Sequence, residues 1–158
     1  MDHGHIEWMH LVDEAGGEPR AVESARLLAG FGIEGDRNVT AARATGATAV
    51  EPEAQLTLIA GEALEAAAAE LGRTLPPGIS RRNLTVRGVD LDAGIGRRLR
   101  IGEAIVRGIE PCDPCGYLQR VTGIPGITRA LVDRGGLRCE VLEGGELRIG
   151  DPVVLLED

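Results

Sequence analysis

Glycine-containing turns divide the second half of the chain into short apolar segments. Two pairs of segments flank such turns: residues 98–101 and 104–109 around Gly102-Glu103, and residues 138–142 and 146–149 around Gly144-Gly145. Two-residue turns of this kind join antiparallel strands, because glycine adopts the positive φ angles that the turn requires. The sequence therefore predicts two hairpins, and the apolar residues 153–156 predict a closing strand.

The first half of the chain predicts two further strands and one helix. Residues 6–12 predict a strand with Ile6, Trp8 and His10 on one face, and residues 55–59 predict another strand. Residues 62–71 are rich in Ala, Leu and Glu and predict a helix that ends at Gly72.

The remaining segments predict shorter or less regular elements. The predicted elements are a strand or a short helix at 20–29, a mobile loop at 41–53, a strand at 82–86, and short helices at 118–121 and 127–133. Aromatic residues make up only 2% of the chain and there are 23 glycines. Many short strands with few helices predict a mainly β (α+β) fold, a β-barrel with a few peripheral helices, as a single domain over residues 1–158.

Charge and composition exclude several functional classes. The net charge of −8 argues against nucleic-acid binding, and no apolar run is long enough to predict a membrane span. The N-terminus does not resemble a signal peptide, and three cysteines do not indicate a disulfide framework, so we expect a cytoplasmic protein. All 17 basic residues are Arg. Without lysine, the chain cannot form a Schiff base with pyridoxal phosphate.

The strongest chemical candidate is the cysteine loop, residues 110–118, with the sequence Glu-Pro-Cys-Asp-Pro-Cys-Gly-Tyr-Leu. Two prolines stiffen this loop, and Gly116 leaves space beside Cys115. A rigid loop that exposes a thiol suits thiolate chemistry or metal ligation. The alternative is that Cys112 and Cys115 are small core residues without chemistry.

Other kinds of site are less well supported. Cys112-x-x-Cys115 supplies half of a zinc site, but the second pair would have to combine Cys139 with an N-terminal histidine. The same motif resembles a thiol–disulfide exchange site, although its surroundings do not predict the usual βαβ setting. Residues 30–35 match the G-x-G-x-x-G pattern, but no helical period follows, so we interpret them as a tight turn. Neither serine lies in a G-x-S-x-G motif.

A second polar cluster, Ser80-Arg81-Arg82-Asn83, stands at the entry to the predicted strand 82–86. Arginine suits phosphate, and asparagine can donate to and accept from the edge of a heterocycle. Together with an accessible thiol, this cluster suggests a soft metal that is held by cysteine beside an anionic organic ligand.

Seven motifs, in order along nearly the whole chain, resemble the MOSC domain family, which is named for the C-terminal domain of molybdenum-cofactor sulfurases. They are the segments 32–37 (GIEGDR), 55–59 (QLTLI), 81–91 (RRNLTVRGVDL), 101–104 (IGEA), 111–118 (PCDPCGYL), 135–137 (GGL) and 145–153 (GELRIGDPV). The chain is similar to the small stand-alone bacterial type. It departs from the pattern at Asn38, where many relatives have histidine after Gly-Asp-Arg.

The resemblance implies a barrel-like fold and binding of the molybdenum cofactor, molybdopterin. It implies that Cys115 ligates molybdenum or carries a persulfide sulfur, that Cys112 shares this task or resolves it, and that Arg82 and Asn83, with Arg81, face the pterin cofactor. The implied reaction is oxygen-atom or sulfur transfer, including the reduction of N-hydroxylated compounds found in some relatives. A cysteine desulfurase or a redox protein would be the partner. A thiol–disulfide redox protein and a non-catalytic cofactor carrier are the alternatives.

Overall fold

The computed structural model describes residues 3–114 and 116–157, and in these residues the chain forms eleven strands and four α-helices. The strands are β1 (Gly4–Val12), β2 (Pro19–Ala21), β3 (Ser24–Leu28), β4 (Gly32–Ile33), β5 (Leu56–Ala60), β6 (Leu84–Arg87), β7 (Arg98–Ile101), β8 (Ala104–Pro111), β9 (Leu137–Glu143), β10 (Gly145–Arg148) and β11 (Pro152–Leu155). The helices are α1 (Arg37–Ala44), α2 (Gly61–Leu71), α3 (Gly116–Thr122) and α4 (Ile127–Ala130), with short 3-10 turns at Pro52–Ala54 and Asp92–Gly94. None of these helices is long and apolar enough to cross a bilayer.

Seven of the strands close into a barrel in the order β1, β11, β7, β8, β9, β5, β6. The closing strand β11 pairs with both β7 and β1, and Gly4 stands opposite Val153. Neighbouring strands are antiparallel except β5 and β6, which are parallel and are connected through α2. The prediction of a mainly β barrel with a few peripheral helices is confirmed, as is the closing strand.

Two apolar clusters hold the structure together. The barrel interior is filled by aliphatic side chains from every barrel strand, among them Ile6, Leu58, Leu84, Leu99, Val106, Val141 and Val153. Ile59 points the other way from Leu58 on β5 and packs outside the barrel against α2, α3 and α4. Because side chains alternate along a strand, β5 contributes to both clusters and holds the helices against the barrel wall.

A bulge in β1 changes which side chains face the barrel. Ile6 is fully buried in the interior, but the register of β1 against β6 shifts between Ile6 and Trp8. A bulge inserts one residue and moves the following side chains to the opposite face. Trp8 is therefore 40% exposed on the outer surface, where it stacks on His10. The prediction that Ile6, Trp8 and His10 share a face was therefore wrong for Ile6, whereas Trp8 and His10 lie together.

The predicted hairpin between residues 138–142 and 146–149 does not form. β9 pairs with β8 and β5 in the barrel, whereas β10 pairs with β3, which also pairs with β4 in a separate three-stranded sheet. Gly144 passes so close to β3 that an added Cβ would lie 2.5 Å from the Leu27 carbonyl oxygen. The glycines therefore allow two segments of the chain to pass close to each other, and they do not form a two-residue turn. The other hairpin, β7 with β8, forms as predicted.

Two loosely defined segments contain regular structure in part. Residues 20–29 contain parts of two strands, β2 and β3, and residues 41–53 overlap the end of α1 and the start of a 3-10 turn. A helix thus follows the glycine pattern at 30–35, contrary to expectation. The turn still has no dinucleotide-binding architecture, because the strands beside it, β3 and β4, are antiparallel.

Candidate functional site

A cavity of about 410 Å³ lies beside the cysteine loop. Its walls come from the end of β1, the start of α1, the segment 80–83 before β6, residues 112–114 and the start of α3. The structure therefore brings together two clusters that are about thirty residues apart in sequence, the Arg81–Asn83 segment and the cysteine loop. A larger groove of about 600 Å³ lies between α2 and the outer faces of β1 and β6, and none of the described residues that line it is a cysteine.

The cavity has an excess of positive charge in an acidic protein. Its described lining contains four arginines, Arg37, Arg81, Arg82 and Arg138, and two carboxylates, Asp36 and Asp113. The chain as a whole carries a net charge of −8. A concave site lined by one sign of charge raises the local concentration of oppositely charged ligands. The arrangement suits an anionic ligand such as a phosphate ester.

Arg82 supports the loop that carries the cysteines. Its Nε donates to the carbonyl oxygen of Gly135 at 2.8 Å, and its Nη2 donates to the carbonyl oxygen of Cys112 at 3.0 Å. The planar guanidinium can hold two acceptors in a fixed geometry, which an ammonium group cannot do. Arg82 thus lines the cavity and ties residue 112 to the turn before β9. Its sequence-based role in phosphate binding stays a prediction.

Gly135 and Gly136 allow the cysteine loop to approach this closely. A Cβ on Gly135 would lie 2.4 Å from the Cys112 carbonyl oxygen and 2.8 Å from Cδ of Pro114. Gly136 has φ +114°, and its carbonyl accepts a hydrogen bond of 2.8 Å from the Cys112 amide. The double glycine is therefore required sterically where the loop and β9 meet.

Asn83 fixes the opposite wall of the cavity. Its Oδ1 accepts from the Thr57 amide at 3.0 Å, and its Nδ2 donates to the His10 carbonyl at 3.3 Å. The Thr57 hydroxyl in turn accepts from the Asn83 amide at 3.0 Å. These bonds connect β1, β5 and the residue before β6. Asn83 lines the cavity, but its amide group is used to join three strands, so a role in contacting a pterin stays a prediction.

Arg81 lies at the edge of the cavity in an unusual backbone conformation. Its φ is +64°, which is uncommon for a residue with a side chain and is found where the surrounding structure imposes it. Its Nη2 donates to the carbonyl of Gly17, in the turn between β1 and β2, at 2.7 Å. Its guanidinium carbon lies 6.0 Å from the centre of the Tyr117 ring.

Cys112 is 1% exposed and lines the cavity. Burial raises the pKa of its thiol, and the nearby Arg82 and Arg138 oppose that change only in part. The thiol is therefore protonated at neutral pH, which does not suit a nucleophile. Cys115, the first candidate for metal ligation or sulfur transfer, lies outside the described residues.

The state of the Cys112 thiol can be tested by alkylation. In a Cys115→Ser, Cys139→Ala variant, where Cys112 is the only cysteine, we expect iodoacetamide to react at least about tenfold more slowly at pH 8 than with the unfolded chain. A raised pKa lowers the thiolate fraction, so the rate should increase as the pH rises above the ordinary cysteine range. Mass spectrometry would follow the modification. Rapid reaction of the folded protein at pH 7 would show that Cys112 is an activated thiolate.

Cys139 belongs to the barrel interior. It is fully buried on β9, and burial together with the neighbouring Cys112 raises the pKa of its thiol to about 12. A zinc site would have to combine Cys139 with an N-terminal histidine, and two of these histidines, His5 and His10, lie on β1. Within residues 3–114 and 116–157, no three His, Cys, Asp or Glu side chains converge on a point where a metal ion could bind.

Asp36 is a functional candidate that sequence reasoning missed. It lines the cavity, is 7% exposed and stands immediately before α1. Its Oδ1 accepts a hydrogen bond of 2.9 Å from the Val12 amide at the end of β1. Burial raises the pKa of this carboxyl group, against the opposing effects of the Val12 amide and Arg37. The aspartate of the Gly-Asp-Arg motif was the available signal. Asn38, the neighbour that departs from the family pattern, donates to the Ala54 carbonyl at 3.0 Å.

Comparisons with known proteins agree with this architecture. The family model of the MOSC domain matches residues 45–154, and the chain belongs to the MOSC domain family. The resemblance found in the sequence is thereby confirmed.

Solved structures share the fold at low sequence identity. The YuaD protein from Bacillus subtilis superimposes with a TM-score of 0.81 at 19% identity, over 100% of this chain and 98% of that one. YiiM from Geobacillus stearothermophilus has a TM-score of 0.72 at 18% identity, over 98% of this chain and 75% of that one. YiiM from Escherichia coli has a TM-score of 0.69 at 19% identity, with 98% and 70% coverage. No curated protein sequence matches the chain.

Proposed function

We propose that this MOSC domain, a single domain over the whole chain, binds the molybdenum cofactor in the cavity beside the cysteine loop. The observation that carries the proposal is the cluster of four arginines around a cavity that the cysteine loop borders. The cofactor is a pterin with an anionic phosphate and a metal that binds sulfur ligands. Guanidinium groups suit the phosphate, and a thiolate suits the metal. The residues present therefore fit the group chemically.

Each residue has a separate role in this proposal. Cys115 ligates molybdenum or carries a transferable sulfur atom as a persulfide. Arg82 holds the cysteine loop through the Cys112 carbonyl, and Asn83 holds the wall that faces it. Arg81 and Arg82 supply positive charge for the phosphate, together with Arg37 and Arg138.

When bound, the cofactor supplies two-electron transfer of an oxygen atom, and the predicted reaction is oxygen-atom or sulfur transfer, including the reduction of N-hydroxylated compounds. The residues that line the cavity would bind and orient the reactants. Asp36 is a carboxyl group of the cavity whose pKa is raised by burial, which favours its protonated form relative to an exposed aspartate. Either a cysteine desulfurase or a redox protein would be needed as partner, according to which reaction operates.

Metal analysis tests the proposal directly. Protein produced in a host that makes the molybdenum cofactor should retain molybdenum, and Cys115→Ser should reduce the metal content at least about tenfold, because a hydroxyl is a poor ligand for a soft metal. Cys139→Ala is the matched control: it removes a cysteine of the barrel interior and should leave the metal content within about twofold.

The alternative functions are distinguished by metal analysis together with cyanide treatment, a redox titration and an assay of turnover. Absence of molybdenum from the wild-type protein would contradict cofactor binding. A persulfide that is released as thiocyanate by cyanide, and is lost in Cys115→Ser, would identify a sulfur carrier. A reversible two-electron couple of Cys112 and Cys115 in metal-free protein would identify a thiol–disulfide protein, although the buried Cys112 thiol with its raised pKa weighs against this. Bound molybdenum without turnover would identify a carrier.

A further inference from the structure

One wall of the cavity carries an aromatic ring beside two cations. Tyr117, in the first turn of α3, lines the cavity and is 41% exposed. The guanidinium carbons of Arg81 and Arg120 each lie 6.0 Å from the centre of its ring. Arg120 is three residues further along the same helix, whereas Arg81 comes from the segment before β6. Two separate parts of the fold thus place positive charge beside one partly exposed ring.

The position of Arg81 is fixed by the backbone around it. Its φ of +64° directs the side chain toward the turn between β1 and β2, where it donates to the Gly17 carbonyl at 2.7 Å. The same turn approaches the phenol: a Cβ on Gly16 would lie 3.9 Å from the Tyr117 hydroxyl. Arg120 can fold back over the helix start because position 116 is glycine, where a Cβ would lie 3.3 Å from its Nη1.

The geometry leaves this cluster able to accept a further group. A distance of 6.0 Å between the guanidinium carbon and the ring centre is the outer limit of a cation–π contact. Among the described residues, neither Arg81 nor Arg120 forms an ion pair, although six other arginines do. The two charges near the ring are therefore not neutralised by a carboxylate of the described chain.

We propose that Tyr117, Arg81 and Arg120 form a selectivity platform at the cavity wall that favours planar, negatively charged molecules. The ring supplies a partly exposed stacking surface for a planar heterocycle. The guanidinium groups attract a carboxylate or phosphate on the same molecule. The inference names the substrate class of the site and rests on the proposed function for the identity of the cavity as the working site.

The test measures binding to metal-free protein with three probes. 2-Naphthoate is planar and anionic, 2-naphthamide has the same ring without the charge, and cyclohexanecarboxylate has the charge without the planar ring. We expect 2-naphthoate to bind at least about fivefold more tightly than either of the others, in a titration followed by NMR or calorimetry.

Variants assign the preference to the platform. Tyr117→Leu should abolish the preference for the planar ring, Tyr117→Phe should keep it, and Arg120→Gln should reduce the preference for the anion severalfold. Trp8→Leu is a control for the outer groove, which also has an exposed ring, and should bind like the wild-type protein. Arg148→Gln, at an exposed site on β10, should also have no effect.

Three results would overturn the inference: equal affinity for the three probes, no effect of Tyr117→Leu, or loss of binding in Trp8→Leu. Because the measurement uses metal-free protein, it is independent of molybdenum retention. If the wild-type protein holds no molybdenum but shows the naphthoate preference, the proposed function fails and the platform stands. If molybdenum is retained and the preference is absent, the platform alone fails.

Discussion

Replacing Gly136 with alanine should destabilise the folded protein by at least about 3 kcal/mol. Gly136 has φ +114°, and a Cβ there would lie 2.0 Å from the carbonyl oxygen of Leu58. The contact is with the backbone of β5, so no side-chain rotation can relieve it. The positive φ adds strain of about 1–3 kcal/mol. The melting temperature in circular dichroism should therefore fall by at least about 6 °C.

A matched glycine separates the two causes. Gly46 also has a positive φ, of +76°, but a Cβ there would meet nothing within 4 Å. Gly46→Ala should lose only the conformational part, about 1 kcal/mol. If the two variants were equally stable, the close approach of Gly136 to β5 would not be a determinant of the fold.

Replacing Arg82 with methionine should both destabilise the protein and loosen the cysteine loop. Methionine preserves much of the aliphatic volume but leaves the Gly135 and Cys112 carbonyls without their charged donor. Since hydrogen bonds to charged groups contribute about 1.5–3 kcal/mol each, we expect the two bonds together to cost about 3–6 kcal/mol in urea unfolding. The amide of Cys112, which donates to the Gly136 carbonyl, should exchange faster with deuterium.

Arg107→Met provides the comparison, because Arg107 donates to a single carbonyl, that of Gly96, at an exposed site on β8. We expect it to cost less than about 1 kcal/mol and to leave exchange at Cys112 unchanged. Exchange at Cys112 that is the same in Arg82→Met and wild-type protein would show that the loop does not depend on Arg82.

Much of the fold could be predicted from local sequence. The hairpin of β7 and β8 has a short glycine-containing turn, α2 has strong helix formers and a left-handed Gly72 at its end, and β11 is an isolated apolar run. In each case a few neighbouring residues determine the conformation. Helix α1 was missed because its sequence, RNVTAARA, buries only Val39 and has almost no apolar period.

The errors arose where distant parts of the chain decide the structure. Gly144 resembles a hairpin turn in the sequence, but the strand after it pairs with β3, more than one hundred residues earlier. The bulge in β1 is set by its register against β6. No local pattern contains either pairing.

For the candidate site, too, local sequence predicted some features, whereas contacts between distant residues were not predictable. The types of residue were recognisable, because arginine, asparagine and a proline-flanked cysteine suit an anion and a soft metal. Their hydrogen bonds were not predictable. That Arg82 binds the Cys112 carbonyl depends on the packing of the cysteine loop against Gly135, and the burial of Asp36 depends on its contact with β1.

The described basic residues that line the cavity are all arginines, and this determines how ligand binding depends on pH. Guanidinium groups do not lose their protons in any solution in which the protein would be handled, whereas lysine or histidine at the same places could. The positive charge of these arginines therefore does not change with pH in this range. Any change in phosphate affinity between mildly acidic and neutral buffer should follow the second ionisation of the phosphate itself, near pH 6.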